Sequence, residues 1–105
     1  MRFVETHVFT KLVCDRLDDE QYRALQATLV LRPEQGVLIP RSGGLRKIRW
    51  GVKGSGKRGG LRVIYFWDKT SSTCYMLFLY SKNEQGDLTA AQVRVLAHVV
   101  KQEFP

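Results

Sequence analysis

The sequence has little of what usually braces a small domain from outside. Its two cysteines, Cys14 and Cys74, stand 60 residues apart, with no C-x-x-C pair and no Cys/His cluster. That spacing excludes a disulfide framework and the common zinc-site patterns. Both thiols read as reduced, cytosolic residues packed as small hydrophobes. No apolar run approaches the ~18 residues of a membrane span. The opening residues, MRFVETHVF, include an acid and a histidine and no apolar core segment, so no secretory signal is expected. Internal repeats and linkers are also missing, and residues 1–105 read as one domain. At that length a single core can form unaided. An apolar fraction of 44% and a charged fraction of 26% are those of an ordinary globular chain.

The most informative shortage is of acid. From Gln35 to Trp67 there is no Asp or Glu, but there are eight cations: Arg41, Arg46, Lys47, Arg49, Lys53, Lys57, Arg58 and Arg62. The rest of the chain has nine Lys/Arg against ten Asp/Glu, so this one third holds the entire surplus behind the net charge of +7. A surface kept basic for solubility alone would intersperse the signs. Segregation on this scale points to a polyanionic partner.

The chain around this segment reads as an α+β layer. Phe3, Val4 and Val8, with Glu5 and Thr6 between, form a short first strand, and residues 12–17 (LVCDRL) are a helical turn or a loop. Asp18 is a candidate N-cap, with Gln21 at the capping-box position, and Tyr22, Leu25 and Leu29, flanked by Ala24 and Val30, give an apolar stripe up to Pro33. Pro40 and Gly43-Gly44 mark a loop. Strands then follow over Leu45–Trp50, Leu61–Trp67 and Cys74–Tyr80. Their short connections imply an antiparallel meander, and CYMLFLY, apolar on both faces, is placed centrally. Thr89 and Gln92 form a second capping box, and Val93, Leu96, Ala97, Val100 and Phe104 continue at helical spacing.

Residues 51–60, GVKGSGKRGG, match G-x-x-x-x-G-K of a P-loop through Gly51, Gly56 and Lys57. The hydroxyl residue that should follow to hold Mg²⁺ is replaced by Arg58, and the segment leads into a strand, whereas a P-loop opens a helix whose N-terminus binds phosphate. ATP binding is therefore rejected. What remains is a hairpin loop with five glycines and three cations, suited to closing on a phosphodiester backbone.

GGLRKIRWGVKGSGKRGGLRVIYFW (43–67) and MLFLYSKNEQGDLTAAQ (76–92) together resemble the HigB-like branch of the RelE/ParE toxin superfamily, the toxins of type II toxin–antitoxin systems. The most specific pieces are GGLRK-R (43–49), GKRGG-RVIY (56–65) and Y-KNE--DL (80–88). The resemblance implies a RelE-like α+β domain: a twisted antiparallel sheet with N-terminal helices packed on it and a C-terminal helix. It implies a cytoplasmic, ribosome-dependent mRNA endoribonuclease (an mRNA interferase) that inhibits translation and needs no cofactor or metal. Its partners would be the 70S ribosome with mRNA and a cognate HigA-like helix-turn-helix antitoxin. Operator DNA would be reached only through that antitoxin, and no membrane partner is implied.

Metal-free cleavage of RNA uses the 2′-OH as nucleophile. The enzyme must accept its proton, offset charge on the phosphorane-like oxygens and protonate the 5′-oxygen, leaving a 2′,3′-cyclic phosphate and a 5′-hydroxyl. His7 and His98 lie away from the basic segment and are poor candidates. Arg62, early in a confident strand, suits transition-state charge stabilisation through its guanidinium fork. Lys82, in YSKNE, joins it through the resemblance, and Lys57 and Arg58 close the catalytic set from the loop. Either Lys57 or Lys82 acts as base or acid where neighbouring cations depress its pKa. The RNA-binding set is Arg46, Lys47, Arg49, Lys53, Tyr65 and Tyr80. Lys47 and Arg49 share one strand face and Arg46 the other, where it binds RNA or pairs with Glu84. Tyr65 and Tyr80 either stack on bases or belong to the core. Two other readings remain open at this point: a ParE-like gyrase inhibitor on the same fold, and a basic module that binds RNA without cutting it.

Overall fold

The computed structural model describes residues 1–51 and 60–103. In chain order the elements are β1 (Arg2–Glu5), α1 (His7–Arg16), α2 (Asp19–Leu31), β2 (Val37–Leu38), β3 (Leu45–Trp50), β4 (Leu61–Asp68), β5 (Thr73–Ser81) and α3 (Ala90–Glu103). The five strands form one sheet in the order β1-β5-β4-β3-β2. The expected meander is present as β3, β4 and β5 in antiparallel pairing, and the short β2 adds an antiparallel edge. At the other edge β1 pairs with β5 in parallel, so the sheet is mixed. β4 occupies the middle position, and β5, flanked by β1 and β4, is the interior strand that its two apolar faces imply.

The first strand is shorter than expected. It ends at Glu5, and Val8 lies in α1, which absorbs most of the ambiguous LVCDRL segment. Thr6 makes the break: its backbone is extended and its hydroxyl accepts the Phe9 N–H, capping the helix. Phe9 and Val13, one turn apart, then face inward. At α2 both halves of the expected capping box are present: the Asp18 side chain accepts the Gln21 N–H at 2.7 Å, and the Gln21 side chain accepts the Asp18 N–H at 3.0 Å. The same reciprocal pair joins Thr89 and Gln92 at the start of α3. Phe104, expected to extend that helix's stripe, lies outside the described residues.

The sheet separates two cores. On one face Phe9, Val13 and Leu17 of the α1 segment and Leu25 and Leu29 of α2 pack on Ile48, Leu61, Val63, Tyr65, Cys74, Met76 and Leu79. On the other, Leu45, Ile64, Tyr75, Leu77 and Tyr80 meet Val100 of α3, with Leu96 beside it. Register slips between Ile64 and Tyr65, where Leu77 is an extra residue in β5. Leu77 and Phe78 therefore both side with the second core, and Leu79 returns to the first. Cys74 is the buried small hydrophobe expected, its thiol pushed up to about 12 by burial. Cys14 departs from that expectation and is exposed. No helix among the described residues is long and apolar enough to cross a membrane.

Candidate nucleic-acid interface

Strand alternation decides which cations can act together. In β4, Leu61, Val63 and Tyr65 face the α1/α2 core, so Arg62 projects from the opposite face with Ile64. The antiparallel register sets Arg62 directly opposite Arg49 on β3 and Tyr80 on β5. Arg49, Arg62 and Tyr80 thus form one row across three strands. Two like charges directly opposite each other in a sheet are mutually destabilising. Arg62 is also only 8% exposed. A buried cation ordinarily sits beside a carboxylate, yet among the described residues no carboxylate lies within ion-pairing distance of Arg62, Arg49 or Lys82.

These three cations converge on a cleft of about 530 Å³ at the end of the sheet, lined by Arg49, Trp50, Gly51, Gly60, Arg62, Lys82 and Asn83. Lys82 arrives just beyond β5, where its N–H donates to the Gly60 carbonyl at 3.2 Å and closes the turn against the start of β4. A Cβ at Gly60 would stand 3.2 Å from Arg62 Nη1, so the bare backbone leaves the guanidinium its room. Arg49 and Lys82 are exposed, so the cleft combines one sheltered guanidinium with two cations open to solvent. Such an arrangement suits an anion with several oxygens at different depths, as in a phosphodiester.

Other candidates fall elsewhere. Arg46 is on the opposite face, where Nη1 donates to the carbonyls of Glu34 (2.8 Å) and Gly36 (2.9 Å) and Nη2 lies 3.8 Å from the Glu34 carboxylate. The alternative partner, Glu84, is instead held by Arg16, which corrects that pairing. Lys47 shares the face of Arg49, as period two requires, but its Nζ is 3.1 Å from Asp87 Oδ1. Tyr65 is fully buried on the face away from Arg62, donating its hydroxyl to the Pro33 carbonyl (2.7 Å) and accepting the Gly36 N–H (2.9 Å). It is a core residue, and its place in the RNA-binding set is withdrawn. Tyr80 is on the correct face, but its ring is also buried, with the hydroxyl 3.4 Å from Asp87. Burial first, and then the nearby Asp87 carboxylate, raise its pKa. His7 opens α1 and His98 lies on α3, both exposed and neither lining the cleft. Lys53, Lys57 and Arg58 lie outside the described residues.

Trp50 and Asn83 line the cleft without having been singled out from the sequence. Position alone could have marked both: Trp50 follows Arg49 at the strand end, and Asn83 follows Lys82. Among the described residues, no group of three or more His, Cys, Asp or Glu side chains is placed to hold a metal ion.

The turn carrying Lys82 has its own anchor. Arg16 makes a two-pronged contact with Glu84, Nη1 to Oε1 at 2.7 Å and Nη2 to Oε2 at 2.8 Å, and Glu84 Oε1 also accepts the Ser81 N–H at 2.9 Å. Arg16, followed by the Ser81 N–H, holds the Glu84 carboxyl down to about 2 from an ordinary 4.5. A depressed carboxyl adds stability that is complete above its unfolded value and lost as pH falls through the folded one. Wild-type Tm should therefore fall more steeply than that of Glu84→Gln between pH 4.5 and about 2. The difference is modest, because Glu84 is half exposed and screened. Parallel Tm curves for the two proteins in that window would remove the pair from the stability balance.

No protein-family model matches the sequence. Among solved structures the fold is that of a mutant of the E. coli toxin RelE in its free state, with a TM-score of 0.59 at 16% sequence identity, over 96% of this chain and 95% of that one. The architecture is thus RelE-like along nearly its full length.

Proposed function

We propose that this chain is the toxin of a type II toxin–antitoxin pair, of the HigB-like kind, and that it cleaves mRNA on the ribosome until a HigA-like antitoxin neutralises it. The observation that carries the reading is Arg62: a buried guanidinium facing Arg49 across the strands, with no carboxylate partner among the described residues, at a cleft it shares with Lys82. A phosphate in that cleft would relieve the Arg49–Arg62 repulsion and supply the missing countercharge. The RelE-like fold supports the same reading.

In the proposed reaction the ribose 2′-oxygen attacks the adjacent phosphorus as its proton passes to a base. Charge gathers on the non-bridging oxygens, and the P–O5′ bond breaks as the 5′-oxygen takes a proton. The products are a 2′,3′-cyclic phosphate and a 5′-hydroxyl. Arg62, sheltered from water, would act on the oxygens that gain charge, where a donor is worth most. Lys82 and Arg49 hold the flanking backbone, and Lys57 or Lys82 moves the proton. Lys53, Lys57 and Arg58, outside the described residues, are proposed as further RNA contacts on the strength of the sequence alone.

The test is brief expression in bacteria with transcriptome-wide mapping of new 5′ ends, alongside Arg62→Ala and Lys82→Ala. Cuts bearing 5′-hydroxyls inside translated frames are expected, absent from both variants and absent when initiation is blocked. Growth arrest without new ends would overturn the nuclease reading. DNA damage with translation intact would then indicate a gyrase inhibitor, and salt-sensitive RNA binding alone a non-cleaving module.

A further inference from the structure

We infer that Arg16 and Glu84 are positioning residues for the cleft, setting the Lys82–Asn83 turn at the height where Lys82 meets an RNA phosphate. The inference rests on the proposed RNA-cleaving role. Lys82 is exposed and lies just past the end of β5, so regular sheet pairing no longer fixes it. What fixes the turn is Glu84, which gathers two contacts to Ser81 and a third to Arg16, 68 residues away in sequence. Its N–H donates to the Ser81 carbonyl at 2.9 Å, its Oε1 accepts the Ser81 N–H at 2.9 Å, and both carboxylate oxygens take the Arg16 fork. Arg16 is in the last turn of α1, whose Phe9 and Val13 are anchored in the core on the far side of the sheet. The clamp therefore refers the cleft-lining turn to a rigid element, and the 3.2 Å bond from Lys82 N–H to Gly60 O completes the frame on the other side. A planar, two-pronged contact fixes orientation as well as distance, which a single lysine contact would not.

Positioning and simple electrostatics give opposite signs, which makes the inference testable. Glu84 is an acid close to a cation-lined cleft, so on charge alone Glu84→Gln should tighten RNA binding. If the clamp positions Lys82, Glu84→Gln should instead weaken it, by roughly three- to tenfold, and the loss should vanish when Lys82 is already Ala. The measurement is the affinity of the full chain for a short single-stranded RNA at low salt, by fluorescence anisotropy, for wild type, Glu84→Gln, Lys82→Ala and the double variant. Arg16→Lys, which keeps the charge and loses the fork, should show a partial loss of the same kind, and it carries the test should Glu84→Gln fold poorly. Tighter or unchanged binding by Glu84→Gln, with Lys82→Ala clearly weakened, overturns the clamp and leaves the functional reading standing. Unaltered binding by Lys82→Ala overturns the cleft itself as the RNA site.

Discussion

Arg62→Ala is expected to lower the rate at which programmed ribosomes yield 5′-hydroxyl mRNA ends by roughly 10²–10³-fold, the usual effect of removing one fixed donor from a developing oxyanion. Arg62→Lys should recover little, since a point charge on a flexible stem cannot reproduce a fork held in place by a strand. The informative companion is Arg62→Met. The wild-type side chain is 8% exposed and stands opposite Arg49, with no carboxylate within ion-pairing distance among the described residues. Methionine keeps much of the packed stem and removes the charge, so this variant should match or exceed wild type in Tm while losing cleavage. Opposite movement of Tm and rate is the signature of a group retained for function at a cost in stability. A folded Arg62→Ala protein that cuts at the wild-type rate would remove Arg62 from the chemistry.

Tyr65→Phe should do the reverse, lowering stability by about 1–3 kcal/mol and leaving RNA affinity unaltered. The hydroxyl it loses bridges two backbone groups, accepting from Gly36 N–H and donating to Pro33 O, and Gly36 N–H is bonded in a buried setting. Removing the bridge strands the Gly36 N–H where water has little access, and takes one partner from the part-buried Pro33 carbonyl. The fit is close on the other side as well: a Cβ at Gly36 would lie 2.7 Å from the Tyr65 hydroxyl oxygen. The ring and the glycine thus hold the link between α2 and β2 against the sheet. Denaturant titration reads the first half of the prediction and RNA titration the second. A variant of wild-type stability with weakened RNA binding would return Tyr65 to the interface.

Much of this was legible in the sequence because it is local. Both capping boxes, the Leu45–Trp50 strand and the antiparallel meander follow from nearest-neighbour patterning and appear as read. Period two placed Lys47 and Arg49 on one face. The same parity separates Tyr65 from Arg62, three positions apart in one strand, and so favours the core alternative for Tyr65. Other features were not legible for physical reasons. Val8 extends an apolar alternation and reads as strand until Thr6 is seen to cap a helix. Arg46 finds Glu34 instead of Glu84 because the chain after α2 returns over β3, a matter of tertiary path. The Leu77 bulge and the Arg16–Glu84 clamp join segments whose meeting no local pattern announces.

The pairing of β1 with β5 also bears on when this protein comes into being as it is made. Arg2 through Glu5 lie beside Thr73 through Met76, so partners stand 71 residues apart in sequence. The hairpins of β3, β4 and β5 close over short spans, whereas β1 pays the closure entropy of a long loop. On a translating ribosome the first strand emerges with nothing to pair with, and it waits until Thr73–Met76 have left the tunnel. A nascent chain that stops before residue 73 lacks the strand that receives β1, and it lacks Lys82 as well. The five-stranded sheet and the described part of the cleft are thus completed together, once the segment from Thr73 to Asn83 has emerged.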